Sequence, residues 1–399
     1  MKIYPNILAG IAECLKNIFL YNKYTGDVLD KAFRNNKKWG SRDRRFIGEA
    51  VFEIVRWQRL LSYAANTTTS ESDYFEKIIA VYLLKSDCQL PEFFSQLNLD
   101  PDLIIGRLNS TDLPFPIKES IPDWLNELGK KELSADWEKE VSALNSPASV
   151  YLRVNTLKTT ISDLHEKLKS LEIETSLNPA LPDCLILHKR QVLSSLQEYK
   201  DGLFEIQDAG SQQIAPFLNI ETGMKIIDAC AGAGGKTLHI ASLLKNTGQI
   251  ISMDVEEKKL IILKERALRA GAKNIGIKEI QPENIEKLKN FADRLLLDVP
   301  CSGLGVLKRN PDAKWKLSKS EIDKTVLLQA KILAEYTSML KPEGILVYAT
   351  CSILPAENEK QIEMLIKKSK KAFELEDQRH VWPSEGADGF YMARLKKII

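Results

Sequence analysis

The C-terminal half of this 399-residue chain is expected to form an α/β fold, a mostly parallel sheet with helices on both faces, on three observations. Short apolar runs recur at Met224-Lys-Ile-Ile, Ile250-Ile-Ser-Met, Arg294-Leu-Leu-Leu and Gly344-Ile-Leu-Val-Tyr-Ala. Segments with helical spacing alternate with them, at Leu238-His-Ile-Ala-Ser-Leu-Leu, at 256–270 and at 320–339. Such alternation implies strands buried on both sides. The third observation is Asp228-Ala-Cys-Ala-Gly-Ala-Gly-Gly-Lys-Thr, a glycine turn between the first of these strands and the first helix. Strand, glycine turn, helix is the layout that brings backbone close to a nucleotide-like ligand.

Upstream, residues 1–118 read as helices. Apolar positions in Phe46-Ile-Gly-Glu-Ala-Val-Phe-Glu-Ile-Val and across 75–84 recur at three- and four-residue spacing, and Ser41 is placed to cap a helix. Leu113-Pro-Phe-Pro-Ile suggests a linker. Residues 119–205 mix helix and strand: Ile121-Pro-Asp-Trp-Leu opens a helix, Ser149-Val-Tyr-Leu-Arg-Val is strand-like, and 160–171 is helical. The α/β domain then spans 206–399.

Two commoner loops do not fit the glycine turn. A Walker loop needs a glycine at 230, where Cys230 stands, and the dinucleotide fingerprint begun at Gly232 and Gly234 needs a small residue at 237, which is Thr237. A loop that wraps S-adenosylmethionine fits better, because Ile250-Ile-Ser-Met-Asp254 places a ribose-binding acid about twenty residues further on. An ordinary strand-to-helix turn would account for one glycine but not for the run of small residues.

The chain has six cysteines, Cys14, Cys88, Cys184, Cys230, Cys301 and Cys351, with no CxxC pair and no close histidine partner. That pattern speaks against a zinc site or a disulfide framework, and no metal is expected. A cysteine by itself is most often a small buried hydrophobe. Cys301 and Cys351 invite more, since each ends an apolar strand pattern, where the ligand crevice of an open α/β sheet lies. Two thiols suit methylation of carbon 5 of cytosine. A thiolate added at carbon 6 makes carbon 5 nucleophilic, and a second thiol or base can assist release of the product. Asp298 could accept from the cytosine amine, and Lys236 could add electrostatic help.

Four segments, 228–237, Leu297-Asp-Val-Pro-Cys-Ser-Gly-Leu-Gly, Arg309-Asn-Pro-Asp-Ala-Lys-Trp and Tyr348-Ala-Thr-Cys-Ser-Ile-Leu-Pro-Ala-Glu-Asn, resemble the RsmB/Sun (NOL/NOP/Sun) family of RNA cytosine-5 methyltransferases. Leu152-Arg-Val-Asn-Thr, Gln207-Asp-Ala-Gly-Ser-Gln and Asp388-Gly-Phe-Tyr-Met-Ala-Arg-Leu support the resemblance, which runs from about residue 120 to the C-terminus. It implies a class I (Rossmann-like) methyltransferase domain, a small α+β RNA-binding connector over 119–205, and a helical NusB-like domain over 1–118. It also implies Cys351 as the nucleophile and Cys301 as the residue that helps release the product. The cofactor contacts it implies are Cys230, Ala231, Gly232, Ala233, Gly234, Gly235, Lys236, Asp254 and Asp298, and Arg153 and Asn155 would face the catalytic cleft as RNA contacts. DNA cytosine-5 methyltransferases use the Pro-Cys cysteine instead, which would make Cys301 the attacker. The Arg-Val-Asn and Asn-Pro-Asp-Ala-Lys-Trp segments favour the RNA-type assignment.

The chain departs from the family twice. Ala233 stands where proline is usual, and Ile277-Lys-Glu-Ile-Gln-Pro-Glu-Asn lacks the usual Gly-Asp after the third strand of the α/β domain, with Gln281 or Glu283 as the available substitutes.

A net charge of only +2 requires RNA binding to come from local patches. The candidates are Lys37, Lys38, Arg42, Arg44 and Arg45, and then Lys308 and Arg309 with Lys314, Trp315 and Lys316. Without a signal-peptide pattern or an apolar run near roughly eighteen residues, the expectation is a cytoplasmic monomer with no membrane partner. Small-subunit rRNA is the expected substrate. A tRNA cytosine-5 methyltransferase and a non-catalytic ribosome assembly factor are the alternatives.

Overall fold

The computed structural model describes residues 4–399. The chain divides into two compact units, one holding the residues up to Asn145 together with Leu307–Lys319, the other holding Ser146–Val306 and Ser320–Ile399.

The first unit is helical, with Pro5–Phe19, Thr25–Asn35, Ser41–Ala65, Tyr74–Lys85 and Pro101–Leu108 as its longer helices, followed by Asp123–Leu133 and Asp136–Leu144. Ile7, Leu8, Ile11, Leu15 and Ile18 lie on one face of the first helix and are buried with Ile47, Val51, Ile54 and Ile78 from its neighbours. Ser41 is not the cap expected from the sequence. It is the first helical residue, and Gly40 precedes it with its amide donating to the Asp43 carboxylate at 3.1 Å.

The second unit carries two sheets. The smaller is antiparallel in the order β2-β3-β1-β4, with β1 Val150–Val154, β2 Thr175–Leu177, β3 Cys184–Leu187 and β4 Phe204–Ile206. It closes over Leu164 and Leu168 of the helix Ile161–Ser170, whose N-terminus is capped by the Thr160 hydroxyl accepting from the Asp163 amide. By its contacts, the segment expected as the connector, 119–205, groups with both units. Its two leading helices belong to the helical unit, and its sheet belongs with the α/β domain.

The larger sheet has seven strands in the order β10-β11-β9-β8-β5-β6-β7. They are β5 Lys225–Asp228, β6 Gln249–Asp254, β7 Ile275–Glu279, β8 Ala292–Asp298, β9 Leu340–Thr350, β10 Phe373–Val381 and β11 Phe390–Lys397. The five from β7 to β9 run parallel, and β11 and β10 add antiparallel. Ile226, Ile227, Leu295, Leu296, Leu346 and Val347 are all fully buried, as continuous apolar strands of a doubly covered sheet must be. The expected helices appear at Glu257–Ala270 and Lys319–Tyr336. Strand order reverses at β5, which lies between β6 and β8, and ligands bind outside the carboxyl ends of strands at such a switch point. The residues that end β5, β6, β8 and β9 are Asp228, Asp254, Asp298 and Thr350.

Candidate active site

The glycine turn leaves β5 and enters the helix Gly235–Leu243. Gly232 and Gly234 hold φ of +52° and +88°, and a Cβ on Gly234 would stand 2.6 Å from the Leu263 side chain. Only glycine combines that backbone with that approach. The loop is held from beneath by Asp228, which is fully buried and accepts from Thr237 Oγ1 at 2.7 Å. Burial pushes the Asp228 carboxyl up to about 7, against the lowering effect of the Thr237 bond. Asp254, at the end of β6, accepts from the Gly232 amide at 2.8 Å with one oxygen and from the Glu256 amide at 2.9 Å with the other. An open positive-φ turn with a fixed carboxylate beside it suits the ribose and amino-acid portion of S-adenosylmethionine. The residues that would hold the cofactor are the Cys230–Lys236 backbone, Asp254 and Asp298.

Across the switch point, Lys236 Nζ donates to Asp298 Oδ2 at 2.6 Å and lies 5.6 Å from the Phe390 ring centroid. Burial works against the Lys236 charge, yet the Asp298 charge and hydrogen bond outweigh it, and the ammonium titrates above its usual range. The loops after β8 and β9 bring Cys301 and Cys351 together, with their sulfurs 3.2 Å apart. The Lys236 charge also interacts with Cys351. The Cys301 thiol is pushed well above its ordinary value, first by its hydrogen bond with Cys351, then by burial and by the charges of Cys351 and Glu357. The backbone of the two loops is tied where the Gly305 amide donates to the Cys351 carbonyl at 2.9 Å and the Gly389 amide donates to the Gly305 carbonyl at 2.7 Å. A Cβ on Gly305 would meet the Cys351 and Gly389 carbonyl oxygens at 2.8 and 2.1 Å.

The four residues expected as RNA contacts are all at least half-buried. Arg153 is 2% exposed, donates to the Gly235 carbonyl at 3.4 Å, and is lowered to about 10 by burial. Asn155, also buried, donates to the carbonyls of Gly202 and Ala270 and accepts from the Leu157 amide. Arg153 joins the small sheet to the glycine loop, and Asn155 joins it to the end of the helix Glu257–Ala270. Lys308 is 5% exposed and Arg309 half-buried, within a segment folded into the helical unit. There Lys314 Nζ donates to the Arg56 carbonyl at 2.8 Å and Trp315 Nε1 to the Val55 carbonyl at 2.7 Å. Lys314 and Trp315 thus pack within this unit, with their polar atoms taken by backbone carbonyls.

Three residues of the site were not read from the sequence. Arg266 donates to the Ala233 carbonyl at 2.7 Å and to Glu205, fixing the loop at the position where proline is usual in the family. Glu357 and Gln329 connect the cysteine loops. Glu357 lies inside the Thr-Cys segment and could have been noticed there, whereas nothing near Arg266 or Gln329 marks them. Beyond the end of β7, Gln281 donates to the Glu279 carboxylate at 2.9 Å and Glu283 is exposed. Among the described residues there is no histidine, cysteine and carboxylate group fit to hold a metal, and no helix long and apolar enough to cross a membrane.

Residues 215–396 match the family model "16S rRNA methyltransferase RsmB/F", and residues 121–193 match its RsmF/B-like ferredoxin-like domain. A probable ribosomal RNA small subunit methyltransferase B of Synechocystis is 31% identical, covering 88% of this chain and 87% of that protein. Ribosomal RNA small subunit methyltransferase B of Pasteurella multocida is 36% identical, covering 70% of this chain and 65% of that protein. Among solved structures, PH0851 superimposes with a TM-score of 0.81 over the whole of both chains at 24% identity, a likeness of fold. With a Rossmann-like sheet, a glycine loop at its switch point and a relative this similar over nearly its whole length, the chain belongs to the RsmB/F family of 16S rRNA methyltransferases.

Proposed function

We propose that this methyltransferase acts on carbon 5 of a cytosine in small-subunit rRNA through a covalent cysteine–cytosine adduct, and the observation that carries the reading is the pair of thiols 3.2 Å apart beside Lys236 and Asp298. S-adenosylmethionine, the cofactor, supplies an electrophilic methyl group when bound. Cys351 attacks carbon 6 as a thiolate, with the Lys236 ammonium as the cation whose field reaches it. Asp298 accepts from the exocyclic amine of the ring, and its bond to Lys236 keeps it oriented for that contact. Once carbon 5 carries its methyl group, solvent water takes the carbon 5 proton, the C–H electron pair re-forms the carbon 5–carbon 6 double bond, and the carbon 6–sulfur bond breaks with its pair on Cys351. Cys301, whose sulfur lies 3.2 Å from that of Cys351, donates a hydrogen bond to the departing sulfur. The base must leave its helical stack to reach the strand ends.

The test is release of tritium from 16S rRNA labelled at cytosine carbon 5, incubated with the protein and S-adenosylmethionine. Cofactor-dependent release in proportion to methyl incorporation is expected. Methylation without tritium release would place the methyl group elsewhere, and the absence of both, with tRNA also unmodified, would favour an assembly factor.

A further inference from the structure

Glu357 is fully buried, and every polar contact of its carboxylate is with a donor. One oxygen accepts from the Ser302 amide at 2.7 Å and from Gln329 Nε2 at 3.3 Å. The other accepts from the hydroxyls of Ser302 and Ser352, each at 2.5 Å. Those hydroxyls in turn accept from the Leu304 amide at 3.4 Å and the Leu354 amide at 3.1 Å, so both are free to donate to the carboxylate. Four donors on two oxygens is the pattern of an ionised carboxylate, which has lone pairs for all of them. Ser302 follows Cys301 directly and Ser352 follows Cys351. One side chain thus ties together the two turns that carry the thiols. Gln329 extends the tie by donating to the Pro300 carbonyl at 2.9 Å, on the other side of Cys301.

The Glu357 backbone is fixed as well. Its carbonyl accepts from the Tyr348 hydroxyl at 2.6 Å. Asn358 donates to the Ser352 carbonyl at 3.0 Å and accepts from Thr350 Oγ1, which roots the same turn at the end of β9. A buried charge costs several kcal/mol unless paired and hydrogen-bonded, on the order of what a bonded network returns. Here the partners are neutral donors from both cysteine turns, an arrangement that packing alone does not require.

We infer that Glu357 is a positioning residue for both cysteines, holding the turns of Cys301 and Cys351 so that their sulfurs stay within contact of one another. The consequence for chemistry rests on the covalent reading above, because a fixed sulfur pair lets one thiol hand a proton to the other as it leaves. The Glu357 charge also raises the proton affinity of Cys301.

Phenylarsine oxide tests the geometry without substrate. It condenses with two thiols, forming two arsenic–sulfur bonds and releasing its oxygen as water, and its affinity depends on the effective concentration of the second thiol. The full chain should bind it through Cys301 and Cys351, and Cys301→Ala should abolish that binding. Glu357→Ala, shown folded by circular dichroism, should bind roughly tenfold more weakly or worse. Unchanged binding in folded Glu357→Ala would overturn the inference. Glu357→Gln keeps the shape of the clasp and removes its charge. It should restore arsenical binding and move alkylation of Cys301 to lower pH, since only the thiolate reacts. If Glu357→Ala does not fold, unchanged arsenical binding in the folded double variant Ser302→Ala, Ser352→Ala, which removes the two hydroxyls the carboxylate holds, overturns the inference instead. Failure of the covalent mechanism reads differently, as intact arsenical binding with no RNA adduct from any cysteine variant.

Discussion

Lys236, partly buried in the α/β domain, and Lys314, fully buried in the helical unit, lie on sequence segments that suggest a ligand, and they do opposite things. Lys236 is 2.6 Å from the Asp298 carboxylate, and the pair keeps the ammonium charged despite its burial. Lys314 has no carboxylate in its coordination. It donates to the Arg56 carbonyl and at 3.3 Å to Asn145 Oδ1, and burial together with the Arg56 charge lowers it to about 7. A buried cation is available for catalysis where a carboxylate holds it in the charged form at the edge of an open crevice. Where only neutral acceptors surround it, it serves to close a core and becomes sensitive to pH.

The largest effect separating the two should come from their removal. Lys236→Met should lower the methylation rate by about 10²–10³-fold, the usual loss when a preorganised charge is taken from a reacting centre, with little change in thermal stability. Lys314→Met should leave the rate within about twofold and change stability instead. Equal rate losses in the two variants would show that the distinction does not hold.

The second effect is on cofactor binding. Asp254→Ala removes a carboxylate that aligns the Gly232 amide, and a charged hydrogen bond of this kind is worth about 1.5–3 kcal/mol. Isothermal titration with S-adenosylmethionine should show affinity falling by about tenfold or more. Lys314→Met should bind as the parent does.

The smallest effect is on pH dependence, and here the two regions have opposite signs. A lysine whose folded-state value is lowered from 10.5 to about 7 binds fewer protons when folded across that interval, so its contribution makes stability rise as pH increases from 7 to 10.5. Asp228, raised from 3.8 to about 7 in the α/β domain, binds more protons when folded, so its contribution makes stability fall as pH increases from about 4 to 7. Denaturant titrations across pH should show Lys314→Met losing the alkaline rise and Asp228→Asn losing the acid-side fall. Parallel curves for parent and variant would refute the assignment.

The same contrast explains what the sequence revealed. The glycine turn, Asp254, Asp298, Cys301 and Cys351 were legible because a doubly covered parallel sheet forces continuous apolar strands, and whatever follows such a strand falls at the ligand edge. That the Arg56 carbonyl takes Lys314 is not legible in a run of basic residues. Nor are the bonds of Asn155 to the carbonyls of Gly202 and Ala270, which join residues far apart in the chain. The division at Asn145 was hidden because the helices Asp123–Leu133 and Asp136–Leu144 carry apolar faces without marking which core receives them. Glu357 could be read as part of a segment, but its role appears only when two turns fifty residues apart converge on one carboxylate.

The central claim is that two thiols divide attack and release between them, and trapping tests it most directly. Cys301→Ala and Cys351→Ala proteins would each be incubated with 16S rRNA and S-adenosylmethionine, then resolved by denaturing electrophoresis. The account requires a stable protein–RNA adduct with Cys301→Ala, in which release is blocked, and none with Cys351→Ala, in which attack cannot occur. An adduct with Cys351→Ala alone would reverse the roles, and an RNA methylated at carbon 5 by the Cys351→Ala protein would contradict the covalent mechanism altogether.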